Sequence, residues 1–216
     1  MLATLPKFIA GEVARQHWKK PLIQTEMHIT KFNELTGGNF IKRANVLLDD
    51  STKRADGLKY TPITGQESIW NKKSTEHIYA LVYNDHIMKV GGTRDGLKGR
   101  WGSYSTGRCV PQRVKKTGEN YPGKMSVTNA YLYHTIEDDL LKCEGRWEIY
   151  SHELPPHYHE VMVYGTMTNI KVQTYHGWES QCIEMYKNEI GHIPCLCANS
   201  DPNYKQKNTK GDVTLI

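Results

Sequence analysis

Apolar positions along this chain fall in short blocks whose spacing changes from one region to the next. Between residues 11 and 45, Val13, Trp18, Leu22, Ile23, Met27, Ile29 and Phe32 recur at intervals that suit short helices, until Thr36, Gly37, Gly38 and Asn39 break the run. A helical N-terminal arm is expected there. Residues 49–73 carry Asp49, Asp50, Ser51, Gly57, Pro62 and Gly65 with little periodicity and read as a loop or linker. The stretch from Ile78 to Tyr83 is β-forming, Asn84, Asp85 and His86 supply turn chemistry, and Ile87 to Gly91 resumes the extended pattern, which predicts a hairpin. Residues 97–104 suit a short helix, at about 1 kcal/mol for each internal glycine. Strands are expected at 130–136, 147–151 and 160–164, extending a mixed sheet. From Gly177 onward, Trp178, Cys182, Ile183, Met185 and Tyr186 trace an amphipathic helix that Gly191 can cap, with Glu179 in its first turn.

This order predicts an α+β protein in which a small mixed sheet is flanked by helices. Residues 1–74 would be the arm and linker, 75–200 the main domain with inserted strands, and 201–216 a flexible basic tail. With 216 residues, 38% of them hydrophobic and 24% charged, the chain can bury a real core, which excludes global disorder and fibrous repeats. No apolar run approaches the roughly 20 residues of a membrane span, and residues 1–14 lack the pattern of a secretory leader, so a soluble, cytoplasmic protein is expected. Five cysteines without paired spacing point to reduced thiols. The net charge of +5 decides nothing alone, but Arg94, Lys98, Arg100, Arg108, Arg113, Lys115 and Lys116 crowd one region in which Asp95 opposes them. A polyanionic partner suits that cluster.

Five residues carry candidate chemistry. Tyr79 and Lys89 face each other across the expected hairpin, Arg100 and Tyr104 lie one helical turn apart, and Glu179 brings a carboxylate. Cleaving a phosphodiester needs a base for water, a cation against the charge that builds on phosphorus, and an acid or metal at the leaving oxygen. Each residue also has an ordinary structural role: a packed strand tyrosine, one of 13 in the chain, a solvated Arg100 and Lys98 face, or a helix-terminal acid at Glu179. His157 and His159 alternate so as to share one strand face, as some metal sites require. His192, Cys195 and Cys197 lack a fourth ligand at zinc spacing.

The ordered set resembles the GIY-YIG nuclease family. His77-Ile78-Tyr79 stands at the first triplet and Lys89-Val90-Gly91 at the second, followed by the Arg100 and Tyr104 pair and the later helix with Glu179. The likeness spans roughly residues 75–200. Lys89 replaces the second-triplet tyrosine, as in a restriction-endonuclease branch of the family, and His77 replaces the first-triplet glycine. The resemblance implies a GIY-YIG fold and one divalent cation, Mg²⁺ or Mn²⁺, held by Glu179 with phosphate oxygens and water. It implies that Arg100 neutralises the scissile phosphate, that Tyr79 leads as general base with Lys89 the other candidate, and that Tyr104 hydrogen-bonds phosphate or water. Asn199 falls near a family asparagine, with a turn role as its alternative. Phosphate contacts are expected from Arg94, Lys98, Arg108, Arg113, Lys115 and Lys116.

The function expected is therefore site-specific cleavage of double-stranded DNA, in the manner of a type II restriction enzyme. A homodimer would sit on a symmetric site, with a cognate DNA methyltransferase as a further partner. A repair, recombination or mobile-element nuclease is the rival enzyme reading. A DNA-binding module with a degenerate site is the rival outside enzymes.

Overall fold

The computed structural model of the chain describes residues 25–49, 57–105, 127–142 and 145–197. In chain order these form helix α1 (Ile29–Thr36), strands β1 (Ile41–Asp49) and β2 (Gly57–Pro62), helix α2 (Glu67–Asn71), strands β3 (His77–Tyr83) and β4 (His86–Thr93), and helices α3 (Leu97–Ser105) and α4 (Val127–Leu141). Strands β5 (Trp147–Glu153), β6 (His157–Val163) and β7 (Thr166–Val172) and helix α5 (Tyr175–Ile190) follow. Five strands make one sheet in the order β2-β1-β5-β3-β4. The α+β class expected from sequence holds, with every pairing antiparallel rather than mixed.

Strand β3 shows why the layers form as they do. All seven of its residues are buried, because helices cover both faces of the sheet. Tyr79, Leu81 and Tyr83 face a cluster with Leu97, Trp101 and Tyr104 of α3 and Leu132, Tyr133 and Ile136 of α4. The alternate residues Ile78, Ala80 and Val82 face Phe32 of α1 and Cys182 and Tyr186 of α5. The turn from β3 into β4 places Asn84 at φ 46° and Asp85 at φ 67°, the two left-handed positions a two-residue hairpin turn demands. The outer edge of β4 is covered by the segment after α5, where the Leu196 N–H donates to the Met88 carbonyl at 2.8 Å.

Several sequence expectations change. The helical pattern expected as far as residue 45 is realised as α1, but residues from Ile41 form β1, where Ala44 and Val46 are buried against β5 and α4; residues 11–24 lie outside the described residues. The loop or linker expected at 49–73 contains β2, hydrogen-bonded to β1, and α2, so the sheet runs across residue 75. The strand expected at 130–136 is part of α4. Its aromatic and β-branched residues invite a strand reading, but Leu132, Ile136 and Leu140 recur every four residues and dock one helical face on the sheet. The strand around 160–164 exists as β6, yet it pairs with β7 in a separate two-stranded hairpin and does not extend the sheet. Among the described residues no helix is long and apolar enough to cross a membrane.

Candidate active site

Strand β3 and helix α3 bring three side chains into one hydrogen-bonded triangle. The Tyr79 hydroxyl lies 2.7 Å from that of Tyr104. Arg100 donates from Nε to the Tyr79 hydroxyl at 3.1 Å and from Nη2 to the Tyr104 hydroxyl at 2.9 Å. Its guanidinium carbon also stands 4.5 Å from the centre of the Tyr104 ring. The four-residue spacing of Arg100 and Tyr104 on α3 makes their meeting possible. Trp101 wedges the aromatic pair, with ring centres 5.4 Å from Tyr79 and 5.1 Å from Tyr104. Gly96 permits the entry into α3: at φ 80°, a Cβ there would stand 2.1 Å from the Lys72 carbonyl oxygen.

Electrostatics sort these groups by charge. Burial pushes the Tyr79 phenol well above its usual range, and Tyr104 adds to this against the opposing pull of Arg100. Burial also works against the charge of Arg100, but Tyr79 and Tyr104 more than offset it, so the guanidinium is a fixed cation. Lys89 pairs in register with Leu81 and Tyr79 with Gly91, so the two do not face each other across the hairpin as expected, although they share one face of the sheet. It is 5% exposed, and its Nζ donates to the Leu196 carbonyl at 3.3 Å. Burial disfavours its ammonium, yet Cys197, Tyr104 and Glu179 together raise its pKa above the ordinary lysine value.

Glu179 comes from the other face, and the two glycines of β4 make room for both sides. A Cβ on Gly91 would stand 2.3 Å from the Tyr79 hydroxyl, while one on Gly92 would stand 2.5 Å from a Tyr175 ring carbon and 3.0 Å from Glu179 Oε2. Glu179 lies in the second turn of α5 rather than the first, because the helix begins at Tyr175. The first-turn acid is supplied from a distance. Glu76 Oε2 accepts from the Thr174 N–H at 2.9 Å, the Thr174 hydroxyl at 3.1 Å and the Tyr175 N–H at 3.1 Å, anchoring the helix start.

Tyr79, Arg100 and Tyr104 thus meet where β3 packs on α3, Lys89 lies on the same face within the fields of Arg100, Tyr104 and Glu179, and Glu179 stands behind Gly92 on the opposite face. Of the basic residues of α3, Arg100 turns inward to the two phenols, whereas Lys98 is exposed and bonds Asn71 Oδ1 at 2.9 Å. Arg94 is exposed beside Asp95, 3.6 Å away. Arg108, Arg113, Lys115, Lys116 and Asn199 lie outside the described residues, as do Cys109 and Cys143. Cys182, Cys195 and Cys197 are free thiols. Sequence reasoning missed Gly92 and Glu76; the adjacent Gly91 and Gly92 were a visible signal, whereas nothing local marks Glu76 as a cap for a helix 98 residues later.

No protein-family model and no curated protein matches the chain. Among solved structures, it is similar to restriction endonuclease HPY188I in complex with product DNA, at 18% identity and a TM-score of 0.46, over 81% of this chain and 88% of that one. It is likewise similar to a mutant of bacteriophage T4 EndoII, at 19% identity and a TM-score of 0.48, over 74% of this chain and 96% of that one.

Proposed function

We propose that this protein is a metal-dependent endonuclease that hydrolyses phosphodiester bonds of double-stranded DNA at specific sites, in the manner of the GIY-YIG family and its restriction-enzyme branch. The observation that carries the reading is the Tyr79, Arg100 and Tyr104 triangle, in which one half-buried cation holds two phenol hydroxyls that touch each other. Loss of a proton from this pair leaves a phenolate that accepts from the remaining hydroxyl and from one guanidinium N–H of Arg100. That phenolate takes the proton of the attacking water and becomes a phenol again, and the Arg100 cation beside it eases the prior loss of the proton. Arg100 and Lys89 add two positive charges beside it, placed to oppose the charge that develops on phosphorus. The Arg100 guanidinium, which donates to the Tyr79 hydroxyl and lowers its pKa against burial, favours Tyr79 for the base role.

Glu179 fits the metal requirement. It is a half-buried oxygen donor beside the bare backbone of Gly92, and one carboxylate with open positions for phosphate and water is the protein share Mg²⁺ commonly takes. When bound, Mg²⁺ or Mn²⁺ supplies Lewis-acid charge to phosphate oxygens. A two-fold dimer on a palindromic site belongs to the same proposal.

The test is digestion of plasmid and phage DNA by the wild-type protein and by Glu179→Ala, each with Mg²⁺ or EDTA. Discrete Mg²⁺-dependent fragments that disappear in the variant are expected. Undiminished cleavage by Glu179→Ala would sink the metal assignment, and tight DNA binding with no cleavage by the wild type would overturn the enzyme reading.

A further inference from the structure

The hairpin β6–β7 stands apart from the sheet and is largely exposed, and the chemistry above makes no use of it. Its most specific feature is a pair of imidazoles. His157 and His159 alternate on β6 and so share one face, and their Nε2 atoms converge to 3.2 Å with ring centres 5.0 Å apart at 70°. Two ring nitrogens aimed at one point hold either a shared proton or a metal ion. With metal–nitrogen bonds of about 2.05 Å, donors 3.2 Å apart subtend about 100° at the ion, near the roughly 109° of a tetrahedron.

The surroundings select the kind of ion. On this face the register places Val172 opposite His157 and Ile170 opposite His159, while Glu160 projects to the other face. Among the described residues, no third His, Cys, Asp or Glu joins the pair. The donors are therefore imidazole alone, with the other coordination positions open to water. Imidazole suits Zn²⁺, Ni²⁺ and Cu²⁺, whereas Mg²⁺ demands oxygen.

The geometry points to a second metal site on β6, in which His157 and His159 chelate a borderline first-row transition ion through Nε2, independent of the carboxylate site at Glu179. The pair is exposed, so its replacement leaves the core intact. The test is calorimetric titration of the full-length protein with Cu²⁺ and, separately, Ni²⁺, comparing the wild type with His157→Ala, His159→Ala and the double variant. Electron paramagnetic resonance of the Cu²⁺ form reports the nitrogen count.

Wild-type protein should bind about one ion with two nitrogen ligands, and binding at that site should weaken at least tenfold in each single variant. A millimolar excess of Mg²⁺ should not compete. Thermal melting should be the same in all four proteins, which separates loss of ligands from loss of fold. Equal binding by the wild type and the double variant, or competition by Mg²⁺, would overturn the proposal, as would absence of any binding with two-nitrogen character.

Discussion

Gly91 and Gly92 are neighbours on β4 and serve opposite faces of the sheet. Gly91 yields its side-chain volume to the Tyr79 hydroxyl, and Gly92 yields its own to Tyr175 and Glu179. Gly91→Ala would force a methyl to within 2.3 Å of a buried, hydrogen-bonded phenol. That phenol is the end of a rigid ring packed on Trp101, so it cannot swing aside cheaply. The expected cost is about 1–3 kcal/mol of stability, read by chemical denaturation, together with loss of the Arg100 contact. Tyr79→Phe makes the complementary test, since it removes the hydroxyl and leaves the ring. If Tyr79 provides the base, cleavage should fall by about 10²–10⁴-fold while DNA affinity stays within about threefold. Equal losses in binding and cleavage would remove Tyr79 from the chemical step.

At the scale of elements, α5 depends on an acid far from it in sequence. One oxygen of Glu76 accepts three hydrogen bonds at the start of the helix, and just over one turn of chain then sets the position of Glu179. Glu76→Gln keeps the shape and removes the charge. It should cost about 1–2 kcal/mol, a fall of roughly 2–8 °C in Tm for a domain of this size, and should speed amide exchange in the first turn of α5. An unchanged exchange pattern would show that the cap does not hold the helix start. This device was not legible in the sequence, because it joins residues 98 positions apart. By contrast, the β3–β4 hairpin was legible from Asn84 and Asp85 between two apolar runs, and α3 from the four-residue spacing of Arg100 and Tyr104. Helix α4 was misread because Tyr131, Tyr133, Thr135 and Ile136 favour strands in isolation, and only packing on the sheet selects the helix. For the site, the residue types and order could be read directly. The burial of Lys89 could not, since the Leu196 carbonyl that it bonds is brought back to β4 by the chain after α5, as is the Cys197 thiol at Val90.

At the scale of the whole molecule, two buried titrating groups pull acid stability in opposite directions. His77 begins β3 and is 0% exposed, with Thr75 and Ser151 at its ring nitrogens and Glu153, Arg43, Lys72 and His152 around it. Burial brings its pKa from 6.5 down to about 4, helped by Arg43, Lys72 and His152 and opposed by the field of Glu153. The unfolded chain therefore takes up this proton before the native one does, and stability rises with pH between about 4 and 6.5. Acidification from pH 7 to 5 should remove about 2 kcal/mol through this residue alone. Glu26 has the reverse sign. Burial raises its carboxyl pKa although Tyr186 donates to it, so the native state holds that proton more tightly than the unfolded chain and gains stability as pH falls towards 4.5. Replacing each group separates the two effects. His77→Asn should flatten the loss between pH 7 and 5, whereas Glu26→Gln should raise stability at pH 7 and steepen the loss on acidification. Urea unfolding of the three proteins at pH 5, 6 and 7 measures this, and parallel pH profiles in all three would mean that neither residue governs the acid response.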